Sequence, residues 1–115
     1  MSKTALFAFR GEMMCFMHVL LNAWDLHQRG ETVQVVLEGE ATGLVPELAD
    51  PKHSLHPLYA RVVEAGLLAG ACRACSGKMG VLGAIQALQI SLLDEMQGHP
   101  AIGTYQEQGY TVIFM

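Results

Sequence analysis

Leu67-Leu68-Ala69-Gly70-Ala71-Cys72-Arg73-Ala74-Cys75-Ser76-Gly77-Lys78-Met79-Gly80 is the stretch on which the fold turns. An apolar run of strand length leads straight into two cysteines three positions apart, and a helix-like segment follows over 78–88. The thiols therefore fall at a strand-to-helix turn. The first backbone N–H groups of a helix have no partner and favour negative charge, so a thiolate there is expected to be stabilised and its pKa lowered. Cys72 and Cys75 become candidates for a nucleophile or a metal ligand.

Outward from this turn the alternation repeats. Residues 4–9 read as a buried strand, 10–12 as a turn, and 13–29 as a helix ended by Gly30. In that helix His18, Asn22, Asp25 and Arg29 form one narrow polar stripe on an otherwise apolar cylinder. Residues 32–38 are a second strand, rich in β-branched side chains, followed by a turn at 39–43 and a short helix at 44–48. A Pro- and Ser-containing loop at 50–57 precedes a helix over 58–65, stopped at Gly66. Beyond the cysteines come a short strand at 90–93 and a last helix opened by Gly98-His99-Pro100, with Pro100 in the first helical position. Gly109 closes that helix and 110–115 form the final strand. Strands alternating with helices predict one domain over 1–115, a three-layer α/β/α sandwich of flavodoxin-like architecture. Its sheet is expected to be five-stranded and mostly parallel.

Composition narrows the function. The chain has 115 residues, of which 51% are hydrophobic and 16% charged, so surplus apolar area suggests subunit interfaces. A net charge of −4 with scattered Lys and Arg argues against nucleic acid or an anionic membrane as partner. The longest apolar run falls well short of the ~20 residues of a membrane span. No secretory leader is recognisable, and three cysteines build no disulfide framework, so a reducing cytoplasm is expected. No Gly-x-Gly-x-x-Gly or P-loop follows a strand, and no cofactor is expected.

Parallel sheets bind ligands outside the carboxyl ends of their strands. Arg10, Gly11, Glu12 and Cys15 follow the first strand there, and Glu38 and Glu40 the second. Cys72, Arg73, Cys75, Ser76, Gly77 and Lys78 follow the third; Asp94, Glu95 and His99 follow the fourth. Catalysis is assigned to Cys72, Cys75 and His99, whose imidazole titrates near neutrality. Arg10, Gly11, Cys15, Arg73, Ser76, Gly77 and Lys78 form the ligand-binding set. A metal reading would take Cys72, Cys75, Cys15 and His99, but a single Cys-x-x-Cys is a weak signal and no metal is assigned. Cys15, among Met13, Met14, Phe16 and Met17, reads as a packed thiol; the acidic residues and His53 and His56 read as solvated.

Over almost its whole length the chain resembles the DsrE/DsrF-like family of small sulfur-relay proteins. The likeness rests on the strand–turn–helix of 4–21, on Cys72 with Cys75 and Gly80 behind it, and on the Gly98-His99-Pro100 helix with its closing strand. The resemblance implies a persulfide carried on Cys72, with Gly80 matching the glycine of the following turn. Met79 stands where relay members usually carry arginine, leaving Lys78 or Arg73 as the cation within reach. It also implies a homotrimer or homohexamer and a sulfur donor or acceptor protein as partner. A non-catalytic ligand- or partner-binding module is the alternative.

Overall fold

In the computed structural model, which describes residues 2–115, five strands form one all-parallel sheet in the order β4-β3-β2-β1-β5. The strands are β1 Lys3–Ala8, β2 Thr32–Leu37, β3 Leu68–Cys72, β4 Leu92–Leu93 and β5 Thr111–Phe114. Helices α1 Met13–Gln28, α2 Val45–Ala49, α3 His56–Glu64, α4 Arg73–Lys78, α5 Leu82–Ala87 and α6 Ile102–Glu107 connect them, with a 3-10 turn at Gly39–Leu44 leading into α2. The architecture is the expected α/β/α sandwich.

Connectivity explains how its layers are filled. From β1 to β4 the chain steps one strand at a time in one direction, and α1, α2, α3 and α5 pack on one face, as right-handed crossovers require. That face holds the main core: Leu6, Val33, Val35 and Leu37 of the sheet meet Phe16 and Leu20 of α1, Leu48 of α2, Val62 of α3 and Ile85 of α5. The return from β4 to β5 runs the other way, so α6 covers the opposite face, where Tyr105 packs on Ala5, Phe7 and Val36. Both faces of β1 and β2 are thus buried, which is why these strands read as near-continuous apolar runs.

Three elements depart from the sequence reading. The helix expected over 78–88 is two: α4 starts immediately after β3, and a turn with Gly80 at φ +74 separates it from α5. The fourth strand shrinks to Leu92–Leu93. Its neighbour Gly70 permits that pairing, since a Cβ there would lie 2.5 Å from the Ser91 carbonyl oxygen and 2.9 Å from Leu93 Cγ. Finally, Pro100 does not open the last helix. Met96 and His99 exchange backbone hydrogen bonds of 2.8 and 3.0 Å, so 96–99 close as a turn and Ala101 caps α6 instead.

No helix among the described residues is long and apolar enough to cross a membrane. Along α1 the predicted stripe of His18, Asn22, Asp25 and Arg29 is exposed, with Met14 and Leu21 exposed beside it.

Candidate functional site

Three neighbouring strand ends build one cluster at the carboxyl edge of the sheet. Cys72 ends β3 and caps α4: its sulfur accepts the backbone N–H of Cys75 at 3.3 Å. One helical turn on, Cys75 projects toward the same point. Beyond β4 the 94–99 segment folds back onto the start of α4. It is held by the Ala74 N–H donating to the Gly98 carbonyl at 2.9 Å and by the Arg73–Asp94 ion pair at 3.0 Å. This docking brings His99 Nδ1 within 3.0 Å of Cys72 Sγ and 3.8 Å of Cys75 Sγ. The fourth member is Glu38, directly after β2, whose backbone N–H still donates to the Ala8 carbonyl at 2.8 Å. Single donor atoms of Glu38, Cys72, Cys75 and His99 all lie within 4.8 Å of one another.

Burial sets the electrostatics. Cys72 is 0% exposed and Glu38 8%, while Cys75 and His99 are half-buried. Desolvation pushes the Cys72 thiol up to about 12, and the neighbouring Cys75 and Glu38 add to this; the Cys75 backbone N–H works in the opposite direction. This corrects the expectation of a lowered Cys72 pKa: the helix terminus contributes its hydrogen bond, but removal from water outweighs it. Burial also raises Glu38, opposed by His99 and reinforced by Glu95. Cys72 is therefore a neutral thiol on an imidazole nitrogen, closed to solvent.

Cys75 is the open thiol of the pair. With Gly39, Glu40, Lys78 and Met79 it lines a cavity of about 270 Å³. The other expected ligand-binding residues divide. Lys78 faces this cavity, and Gly11 lines an adjoining one that shares Glu40 and Met79. Arg73 is occupied by Asp94, and Arg10 pairs with Glu12 at 3.4 Å at the surface. Ser76 is buried with its hydroxyl oxygen unpartnered among the described residues, and Gly77 is exposed. Cys15 stands outside the cluster; it is half-buried on α1 and not part of the core, which corrects its reading as a packed core thiol.

Two histidine readings and one acidic reading change. His53 and His56 are half-buried backbone partners, not solvated: the Leu55 N–H donates to His53 Nδ1 at 3.1 Å, and His56 Nδ1 lies 2.7 Å from the Leu48 carbonyl. Glu38, read as a charge left in water, is buried in the cluster. Its signal was its place immediately after a strand buried on both faces, at the same edge as Cys72.

Among known proteins, the uncharacterized protein MJ0733 of Methanocaldococcus jannaschii is 30% identical over 101 residues, a match covering 88% of this chain and 80% of that one. The chain belongs to the MJ0733 family. No family model matches the sequence, and no solved structure matches it.

Proposed function

We propose that the protein is a sulfur carrier of the DsrE/DsrF type in which Cys75, rather than Cys72, takes up the sulfur. The observation that carries this reading is the asymmetry of the pair: Cys75 opens onto a cavity, whereas Cys72 has no exposed surface. A sulfur donor must reach the attacking thiol, and Lys78 lines the same cavity. The resemblance of the chain to the sulfur-relay proteins agrees with this reading at the level of fold.

In the transfer, the Cys75 thiolate attacks the outer sulfur of a donor persulfide. A new S–S bond forms on Cys75 as the donor's S–S bond breaks, and the donor leaves as a thiolate. No net oxidation occurs. His99, 3.8 Å from Cys75 Sγ, is placed to take the thiol proton and return it to the leaving sulfur. A thiol of the acceptor protein then removes the terminal sulfur by the same exchange in reverse. The exposed Met14 and Leu21 on α1 suit the homo-oligomer expected of such carriers, which is checked by sedimentation.

Incubation with a small-molecule persulfide donor, followed by peptide mass spectrometry, tests the assignment. A single added sulfur is expected on Cys75, absent in Cys75→Ser and retained in Cys15→Ser. An adduct that persists in Cys75→Ser, or none on folded wild-type protein, overturns it.

A further inference from the structure

We propose that Glu38, Cys72, Cys75 and His99 also constitute a four-ligand site for a thiophilic divalent cation of the zinc class. This goes beyond the sulfur-carrier reading and does not depend on it. A single Cys-x-x-Cys supplies half of such a site, and whether the other half exists is decided by the fold. Here β2 and the 94–99 segment each deliver one further donor to the sulfurs, and the four donor atoms converge within 4.8 Å.

The spacing suits the ion. Tetrahedral zinc with bonds of about 2.0–2.3 Å holds its ligand atoms roughly 3.3–3.8 Å apart. The two thiol–imidazole separations are 3.0 and 3.8 Å, close to that range, and every other donor pair lies within 4.8 Å. The donor set is selective as well. Two thiolates and an imidazole favour a soft or borderline cation over calcium or magnesium, which prefer all-oxygen shells. With neutral His99, the two thiolates and the Glu38 carboxylate offset the ion's double charge with one negative charge to spare, and Lys78 lines the adjoining cavity.

Supporting groups are already in place around the ligands. The Cys75 N–H points at Cys72 Sγ, a contact that steadies a metal-bound thiolate. His99 is fixed through both its backbone hydrogen bonds to Met96, and the Gly98 beside it is anchored to α4. The cavity lined by Cys75 gives the ion a path in. Because Cys75 belongs to both chemistries, cation and sulfur compete for it, and a bound cation blocks sulfur uptake.

The test is titration of chelator-stripped, reduced protein with cobalt(II), a spectroscopic surrogate for zinc. Expected are thiolate-to-cobalt charge-transfer absorption and intense tetrahedral d–d bands saturating at one equivalent, both displaced by zinc. Cys15→Ser leaves the spectrum unchanged. Cys72→Ser and His99→Ala lose the tetrahedral bands, and Glu38→Gln, which removes a charged ligand, weakens binding by on the order of 100-fold or more, with circular dichroism showing each variant folded. Bands that never appear with folded wild-type protein, or that survive in Cys72→Ser, overturn the proposal. Sulfur uptake by wild-type protein is read separately in chelator, so either reading can fail while the other stands.

Discussion

The carboxyl edge of the sheet has two halves of opposite character. Over β2, β3 and β4 it gathers two thiols, an imidazole and a carboxylate. Over β1 and β5 it gathers rings: Phe7 packs edge-on with Tyr105 and Phe114 at 5.4 and 5.9 Å, and Phe9 lies 5.7 Å from Phe114. The strand order reverses between β1 and β5, the place where doubly wound sheets bind ligands in the crevice left by diverging connections. Here backbone pairing of Met115 with Phe7 and Phe9 extends the β1–β5 ladder to the rim, where Phe9 and Phe114 remain exposed. The thiol cluster lies instead where β3 passes into α4 with no intervening loop and a neighbouring segment folds back on top. A reversal of strand order creates an opportunity; the connections decide whether it is used.

If the halves are separate in function, damage to each should read out differently. Phe7→Ala removes a ring with 0% exposure and should cost about 4 kcal/mol in denaturant unfolding, the largest effect expected. Provided that the variant remains folded, its cobalt affinity stays within about twofold, the change expected of roughly 0.4 kcal/mol. Gly70→Ala should cost less, about 2–3 kcal/mol, because the new methyl meets the Ser91 carbonyl and the Leu93 side chain. It pushes β4 away, and with it the segment bearing His99, so cobalt binding should weaken by about tenfold or more. Equal losses of cobalt affinity in the two variants would break the distinction.

How far the sequence reveals this division depends on the range of the signal. Strand and helix identities are local, and 32–38 or 67–71 show them through β-branched and apolar runs. The placement of Cys72 at a strand-to-helix turn is also local and holds, although the helix begins at Arg73, five residues earlier than expected, and takes in Cys75. Strand order is not local, and Glu38 shows the consequence. Once β2 is known to pair with β3 in the register Leu37↔Ala71, the next residues along are Glu38 and Cys72, and their proximity follows without further information. The β3–β4 register Cys72↔Leu93 likewise sends 94–99 past the thiols. Cys15 follows β1, one strand further off, and so stays apart although it shares the same edge. His99-Pro100 misled for another reason: His-Pro resembles a helix entry, but the His99 backbone groups are already bonded to Met96.

Smaller effects sharpen the comparison. Arg73→Ala breaks the ion pair with Asp94, whose side chains are 46% and 53% exposed, so its stability cost should be about 0.5 kcal/mol. Any larger loss of cobalt affinity would show that this pair positions the 94–99 segment.

Tyr105→Phe should change almost nothing at neutral pH, yet it tests whether the halves are electrically independent. Burial first, then the charges of Glu95 and Tyr110, raise the Tyr105 hydroxyl above the usual tyrosine value of about 10. A raised folded value means that the native state holds its proton more tightly than the unfolded chain. That stability is fully present below the unfolded value and drains away as pH climbs through the folded one. The wild-type melting temperature should therefore fall on the alkaline side of pH 10, and Tyr105→Phe should fall less. Parallel curves would remove the effect. Glu95 is the decisive partner, because its charge also raises Glu38 while its carboxylate accepts the Ala101 N–H at 3.1 Å at the start of α6. Glu95→Gln should consequently reduce the alkaline loss seen in wild type without touching Tyr105 itself. If it does, one carboxylate on the 94–99 segment is felt by both the thiol cluster and the aromatic half, and their separation is one of packing rather than of charge.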